Sequence, residues 1–305
     1  MIPITLTIIA ATWAGLAAEH RSPGRAANAS RRALLFSLYV FLPPLVFLNL
    51  ARAELDSDFA IGIALALLVV AICAALALAV GDRLLGLRRD QTGALMACLL
   101  VANTGYLGLP LVAATLGFDR LGEAVAFDVL VSGTGLLLGA FAVGAAFGTR
   151  AGEGPRERAA AFFTRNIPLY AAALALIAPD VLAPDWAVDA SRVAVVALLP
   201  VGFFAVGAAL AEDADSGAVG LPPKLSGPVL AGVGIKLALM PALLFLFAAP
   251  LIDLPTTFLV LAAMPAGLSA MIVAHAYGLD LRITAGIVTW TTAIVVPVAL
   301  VASLL

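Results

Sequence analysis

Residues 103–111 read Asn-Thr-Gly-Tyr-Leu-Gly-Leu-Pro-Leu, placing a polar pair, two glycines and a proline inside an otherwise apolar run. Proline lacks the amide donor and collides with the carbonyl four residues back, and glycine tolerates torsions closed to other residues. Together they predict a broken helix with backbone N–H and C=O groups set free. A second apolar run carries Pro265-Ala266-Gly267, with Ser269 two residues further on. A helix that restarts after such a break turns its N-terminus, with about half a positive charge, toward the break. Two such ends facing one another favour an anion, above all a carboxylate. Asn103 adds amide donors without a buried charge, and Ser269 is the natural hydroxyl of the second break. The candidate ligand-binding set is therefore Asn103, Thr104, Gly105, Tyr106, Pro110, Pro265, Ala266, Gly267 and Ser269. For a lone proline the alternative is a kink packed against its neighbours.

Four further residues are candidates for ion or proton handling, or for tuning the local potential. Lys236 is the one charge clearly within an apolar run. A helix starting near Gly227 puts it roughly 14 Å deep, and one starting near Leu230 about 9 Å, where its stem could snorkel to the surface. Asp128 is a candidate proton carrier, but a run starting at Val129 would leave it in an outer first turn, where the helix dipole favours a carboxylate. His275 falls near the end of its run, as an interfacial residue or a proton relay. Asn49 either bonds between helices or lines a cavity. Thr289, Thr291 and Thr292 offer hydroxyls to a lumen or bond back onto their own helix.

The elements that position these residues follow from composition. Of 305 residues, 63% are hydrophobic and 12% charged, and mean hydropathy is +1.10. That charged share is about half the ~25% of a soluble domain, which excludes a water-soluble enzyme, a nucleic-acid-binding module and a disordered chain. The apolar runs are long enough to cross a bilayer, about 20 residues each. Ten are predicted, at about 2–18, 33–51, 59–80, 93–117, 124–147, 166–183, 191–211, 226–249, 254–276 and 283–304. The first could serve as a signal peptide, but no basic residue precedes its apolar stretch. The runs are apolar all round, as lipid-embedded helices are and period-2 barrel strands are not.

Thirteen of the 17 basic residues fall in connections one, three, five, seven and nine, and only Arg52, Arg120 and Arg192 in the even ones. Positive loops stay cytoplasmic, so both termini are expected outside the cytoplasmic membrane. Five spans per half make the second half enter from the opposite side, an inverted-topology repeat. Residues 1–148 form the first half, 149–165 a cytoplasmic linker and 166–305 the second half. Leu42-Pro43-Pro44-Leu45-Val46-Phe47 is matched by Leu199-Pro200-Val201-Gly202-Phe203-Phe204. Pro43 to Pro110 spans 67 residues and Pro200 to Pro265 spans 65, pairing the breaks of spans four and nine. Unwound backbone at that depth is tolerated only when buried in protein or lining a cavity. Cys73 and Cys98 lie inside apolar runs as small core residues. No Walker loop, clustered metal ligands or nucleophile elbow is present, so neither an enzyme nor a bound cofactor is expected.

The 103–111 segment resembles the fourth-helix signature of the auxin efflux carrier family, which includes plant PIN-type auxin exporters and bacterial permeases for malate and similar acids. The likeness extends over essentially the whole chain, through Leu42–Phe47, the pairing of Lys236 with Pro241, Met264-Pro265, and Ala276-Tyr277-Gly278. It implies an all-α integral membrane fold of ten transmembrane helices, as two inverted five-helix repeats with helices four and nine broken where they cross. It further implies a scaffold of spans one, two, six and seven that forms a homodimer. A transport unit of spans three to five and eight to ten would move as an elevator, and Asn103 maps onto the asparagine that contacts substrate. The chain lacks the large cytoplasmic loop of the plant proteins, and no asparagine adjoins Pro265, which argues against auxin as substrate. The expected function is a secondary or potential-driven exporter of small organic anions. The alternatives are a sodium-coupled symporter resembling the bile-acid group, which needs clustered acidic or amide ligands at the crossing, and a non-transporting receptor for an organic anion.

Overall fold

The computed structural model describes residues 2–53, 57–150, 167–215, 217, 220 and 222–302. Most of the expected 149–165 linker, with Arg156, Arg158 and Arg165, lies outside them. Every regular element among the described residues is helical, as lipid requires of a chain whose backbone must satisfy itself. Helix α1 is Ile2–Arg21. Arg25–Leu50 (α2) and Ser57–Leu84 (α3) follow, then Arg89–Leu100 (α4), and α5, Leu109–Thr115, which continues a π-helical turn at Thr104–Gly108. Helix α6 is Phe118–Phe147, α7 Ile167–Ala175, α8 Asp185–Val196 and α9 Leu198–Asp215. The chain ends with α10 at Gly227–Ala248, α11 at Thr256–Ala262, α12 at Ser269–Tyr277 and α13 at Leu281–Ala302.

Six stretches are continuous, long and apolar enough to cross a membrane, namely α2, α3, α6, α8 with α9, α10 and α13. The other four expected spans differ for physical reasons. The run at 93–117 divides into α4 and α5, and 254–276 into α11 and α12, so neither is one long helix. The run at 166–183 forms only α7 and a short turn at Asp180–Leu182, as its prolines at 168 and 179 dictate. The first run lies on α1.

Connections meet in two sets. His20 lies 3.2 Å from Asp215, and Arg31 pairs with Glu212. A Cβ on Gly227 would lie 3.8 Å from the Leu85 side chain. Arg88 bonds Asp90 at 3.0 Å and reaches Asp280 at 3.7 Å, Arg89 donates to the Ala146 carbonyl, and Arg150 donates to that of His275. All of these lie in odd-numbered connections or at the helix ends beside them. At the opposite ends of the helices Arg52 holds Asp185 and the Ala183 carbonyl, Arg192 lies 3.6 Å from Asp119, and Thr257 donates to Glu123. The even-numbered connections thus meet one another.

Helix α1 runs parallel to α9, with Gly15 against the Phe204 carbonyl and Gly207 against that of Thr12. Helix α7 packs on the C-terminal half of α2. The second body is built from α3, α4, α6, α10 and α13 around Leu95, Leu99, Phe258 and Leu261, all buried. Phe258 sits edge-on to Phe59 and Phe127 at 5.3 and 5.2 Å. Large apolar side chains on the outside, such as Trp13 on α1 and Ile177 after α7, would be a liability in water. In lipid they are the solvated face.

Candidate functional site

Helix α4 ends at Leu100, and Val101 turns extended (φ −116°, ψ 119°). Asn103 then occupies the position before the next turn. Across from it, α11 ends at Ala262 and α12 begins at Ser269. The two breaks meet as one antiparallel bridge centred on Ala102 and Ala266. The Asn103 N–H donates to the Pro265 carbonyl at 2.8 Å, and the Gly267 N–H donates to the Val101 carbonyl at 2.9 Å. A Cβ on residue 267 would lie 3.0 Å from the Ala102 carbonyl oxygen, so the crossing needs glycine there. Two side chains complete the pairing. The Thr291 hydroxyl accepts the Ala266 N–H at 3.1 Å while donating to the Ile287 carbonyl. The Lys236 ammonium donates to the Leu99 carbonyl at 3.3 Å, in the last turn of α4. Freed backbone groups are thereby satisfied, which is what allows unwound chain between apolar helices.

Pro110 is not at the break. The helix resumes at Thr104, and Pro110 follows its π-helical turn as the second residue of α5. Val101, nine residues before Pro110, accepts from Gly267 as Pro265 accepts from Asn103, so it and not Pro110 holds the place of Pro265. Tyr106 lies over Gly202 of α9, so the first break abuts the other helical body.

The outer-first-turn reading of Asp128 is overturned. Helix α6 begins ten residues earlier, at Phe118, which puts Asp128 roughly 15 Å along the helix. Thr104 donates its hydroxyl to the Asp128 carboxylate, and the Thr104 and Ser132 hydroxyls are 2.8 Å apart. A Cβ on Gly105 would stand 3.5 Å from the carboxylate. Asp128 therefore faces the N-terminal turn of the resumed helix, the positive end of its dipole.

Lys236 does not snorkel: it is 1% exposed, with Met240 Sδ at 3.7 Å as its other contact. It shares a narrow cavity with Ala102, Ser132, Val131, Leu261 and Ala262. Asn103 is 6% exposed, and among the described residues nothing hydrogen-bonds its side-chain amide. Ser269 is half-buried at the start of α12. Asn49 is a tie between helices, donating to Leu45 and to Ser191 of α8 at 2.9 Å each. His275 lies one residue before Ala276 in the last turn of α12, its carbonyl held by Arg150.

Sequence reasoning underrated Thr291 and missed Ser132. Thr291 was one of several equivalent span-ten hydroxyls, and only the fold brings it to Ala266. Ser132 stands one helical turn from Asp128, a spacing that marks a shared face.

A model of the membrane transport protein family matches residues 2–145 and 165–303. No curated protein matches the chain. With nearly its whole length covered in two stretches, this multi-pass membrane protein belongs to the membrane transport protein family, which includes the auxin efflux carriers.

Proposed function

We propose that the protein carries small organic anions, mono- or dicarboxylates, across the cytoplasmic membrane in the direction of export. The observation that carries this reading is the crossing itself. Two helix N-termini converge there beside an asparagine amide with no hydrogen-bond partner among the described residues, while Lys236 donates to a carbonyl in the last turn of α4. Positive potential without a free cation suits a carboxylate that must also leave. An inside-negative potential drives each net negative charge outward by about 2.3 kcal/mol per 100 mV.

Asn103, Thr104, Gly105, Tyr106, Pro265, Ala266, Gly267 and Ser269 form the proposed substrate path, with Pro110 behind it. The architecture we assign is two inverted five-helix repeats. In support, α1 pairs with α9 as α7 pairs with α2, the exchange expected when the halves are interchanged. The body made of α1, α2 and α7–α9 would be the scaffold and dimer contact. The body holding the crossing would be the moving unit, sliding along the Tyr106–Gly202 seam.

Flux into proteoliposomes with a panel of mono- and dicarboxylates, with and without an imposed potential, tests the proposal. Dicarboxylate flux that rises with potential is expected. Dependence on sodium would favour the symporter alternative, and binding without flux a receptor.

A further inference from the structure

We infer that Asp128 is the proton-carrying group of this carrier, loaded through the hydroxyls of Ser132 and Thr104 from the cavity beside Lys236. The inference rests on the anion-carrier reading and adds to it the coupling ion. Four observations meet at one place. Asp128 lies mid-helix in α6 rather than at its end. Among the described residues no cation forms an ion pair with it. Its carboxylate takes a hydrogen bond from Thr104, whose oxygen lies 2.8 Å from that of Ser132. Ser132 in turn lines the cavity that also holds Lys236 and the crossing residue Ala102.

Each hydroxyl has one proton and two lone pairs, so the order of donation is determined: Ser132 donates to Thr104, and Thr104 to Asp128. A proton arriving on Ser132 from the cavity displaces the hydroxyl proton toward Thr104. Thr104 passes its own proton to the carboxylate. One proton has then entered, both hydroxyls are restored, and Asp128 is a neutral acid. Thr104 and Asp128 are in direct contact, which leaves no space for a cation between them and favours a proton over sodium.

Coupling follows from position. The ionised carboxylate occupies the positive end of the helix that resumes at Thr104, next to Gly105. A substrate anion at Asn103 competes with it for the same potential. Protonating Asp128 releases that potential to the substrate, and by linkage a bound anion favours the proton. The two therefore travel together. A dicarboxylate moving with one proton still carries a negative charge outward, whereas a monocarboxylate moves without net charge.

The other titratable groups on elements packed against this turn are Tyr106, Tyr170 of α7, Cys73 of α3 and, across the cavity, Lys236, with Asp58, Asp82 and Arg83 at the ends of α3 and Asp119, Arg120 and Glu123 at the start of α6. The Asp128→Asn variant separates Asp128 from all of them.

The full-length protein in lipid nanodiscs is titrated by infrared difference spectroscopy, following the carboxylic-acid carbonyl band. The same protein is then reconstituted with a trapped pH dye, and labelled malate and lactate are supplied. A titrating band that is missing from Asp128→Asn is expected. So is close to one proton moved per anion by the wild type, falling to none in Asp128→Asn whatever its rate. Thr104→Ser should keep the ratio. A wild type that moves anion without protons, an Asp128→Asn variant with an unchanged ratio, or a band that responds to sodium instead would overturn the inference. A normal titration with no carboxylate carried would overturn the anion reading and leave the proton site standing.

Discussion

Asn103 serves the crossing twice, and the two roles separate cleanly. Its backbone N–H holds Pro265 whatever the side chain is, while its amide has no hydrogen-bond partner among the described residues. Asn103→Ala should therefore keep the fold and lose the ligand. Hydrogen bonds to a charged group contribute about 1.5–3 kcal/mol, so apparent affinity should fall roughly 10- to 100-fold. Flux assays paired with size-exclusion profiles check this, and normal transport would remove Asn103 from the site. Lys236→Met makes the opposite comparison. Methionine fills similar volume and removes a buried charge, but it takes the Lys236 donor from the Leu99 carbonyl, a loss of at most about 1–3 kcal/mol. The positive potential at the end of α4 would go with it, so anion flux should drop well beyond any fall in thermal midpoint. The break at Asn103 was legible because a polar pair, two glycines and a proline together weaken a helix mid-run, although the residues from Thr104 onward are themselves helical. The depth of Asp128 was not: Asp119, Arg120 and Glu123 make the first turns of α6 resemble a loop, and only their outward pairing with Arg192 and Thr257 reveals the helix.

At the scale of elements, close approach matters more than hydrophobicity, since lipid is as apolar as leucine. Helices α1 and α9 touch backbone to backbone, and a Cβ on Gly207 would lie 2.0 Å from the Thr12 carbonyl oxygen. Gly207→Ala should force them apart at a cost of about 1–3 kcal/mol, seen as a lower thermal midpoint in nanodiscs. The broken pair depends instead on hydrogen bonds. Thr291→Val keeps the shape but orphans the Ala266 N–H, which should cost about 1–3 kcal/mol, and Thr291→Ser should restore it. The existence of two crossing breaks could be read from prolines and glycines. Their register could not, because Pro110 lies beyond the π-helical turn that opens the resumed helix rather than at the break. The proline spacing set Pro110 against Pro265, whereas in the bridge it is Val101 that accepts from Gly267 as Pro265 accepts from Asn103. The Asn49–Ser191 tie, 142 residues apart in the chain, leaves no local trace either.

For the whole molecule, the distribution of charge and the distribution of contacts give the same division. The arginine-rich connections meet at one set of helix ends, through Arg88 with Asp280 and Arg150 with His275. The poorer ones meet at the other, through Arg52 with Asp185 and Arg192 with Asp119. By the positive-inside rule the arginine-rich ends are proposed to face the cytoplasm. The sharpest test uses the broken helices, because Arg88 and Asp119 are separated only by α4, the break and α5. The two native cysteines are both buried, so they give a quiet background for thiol labelling. Arg88 and Asp119 have side chains 68% and 95% exposed, so a cysteine at either is open to reagent. With a membrane-impermeant maleimide on intact cells, Asp119→Cys should label directly and Arg88→Cys only after permeabilisation. Labelling of both from the same face would mean that the α4–α5 pair enters the bilayer and returns. The alternation of the arginines would then fail, and with it the inverted relation of the two halves. Labelling from opposite faces would make a pair of half-helices, each too short to cross alone, a single span, and would put its break near the midplane, where a carried anion has to bind.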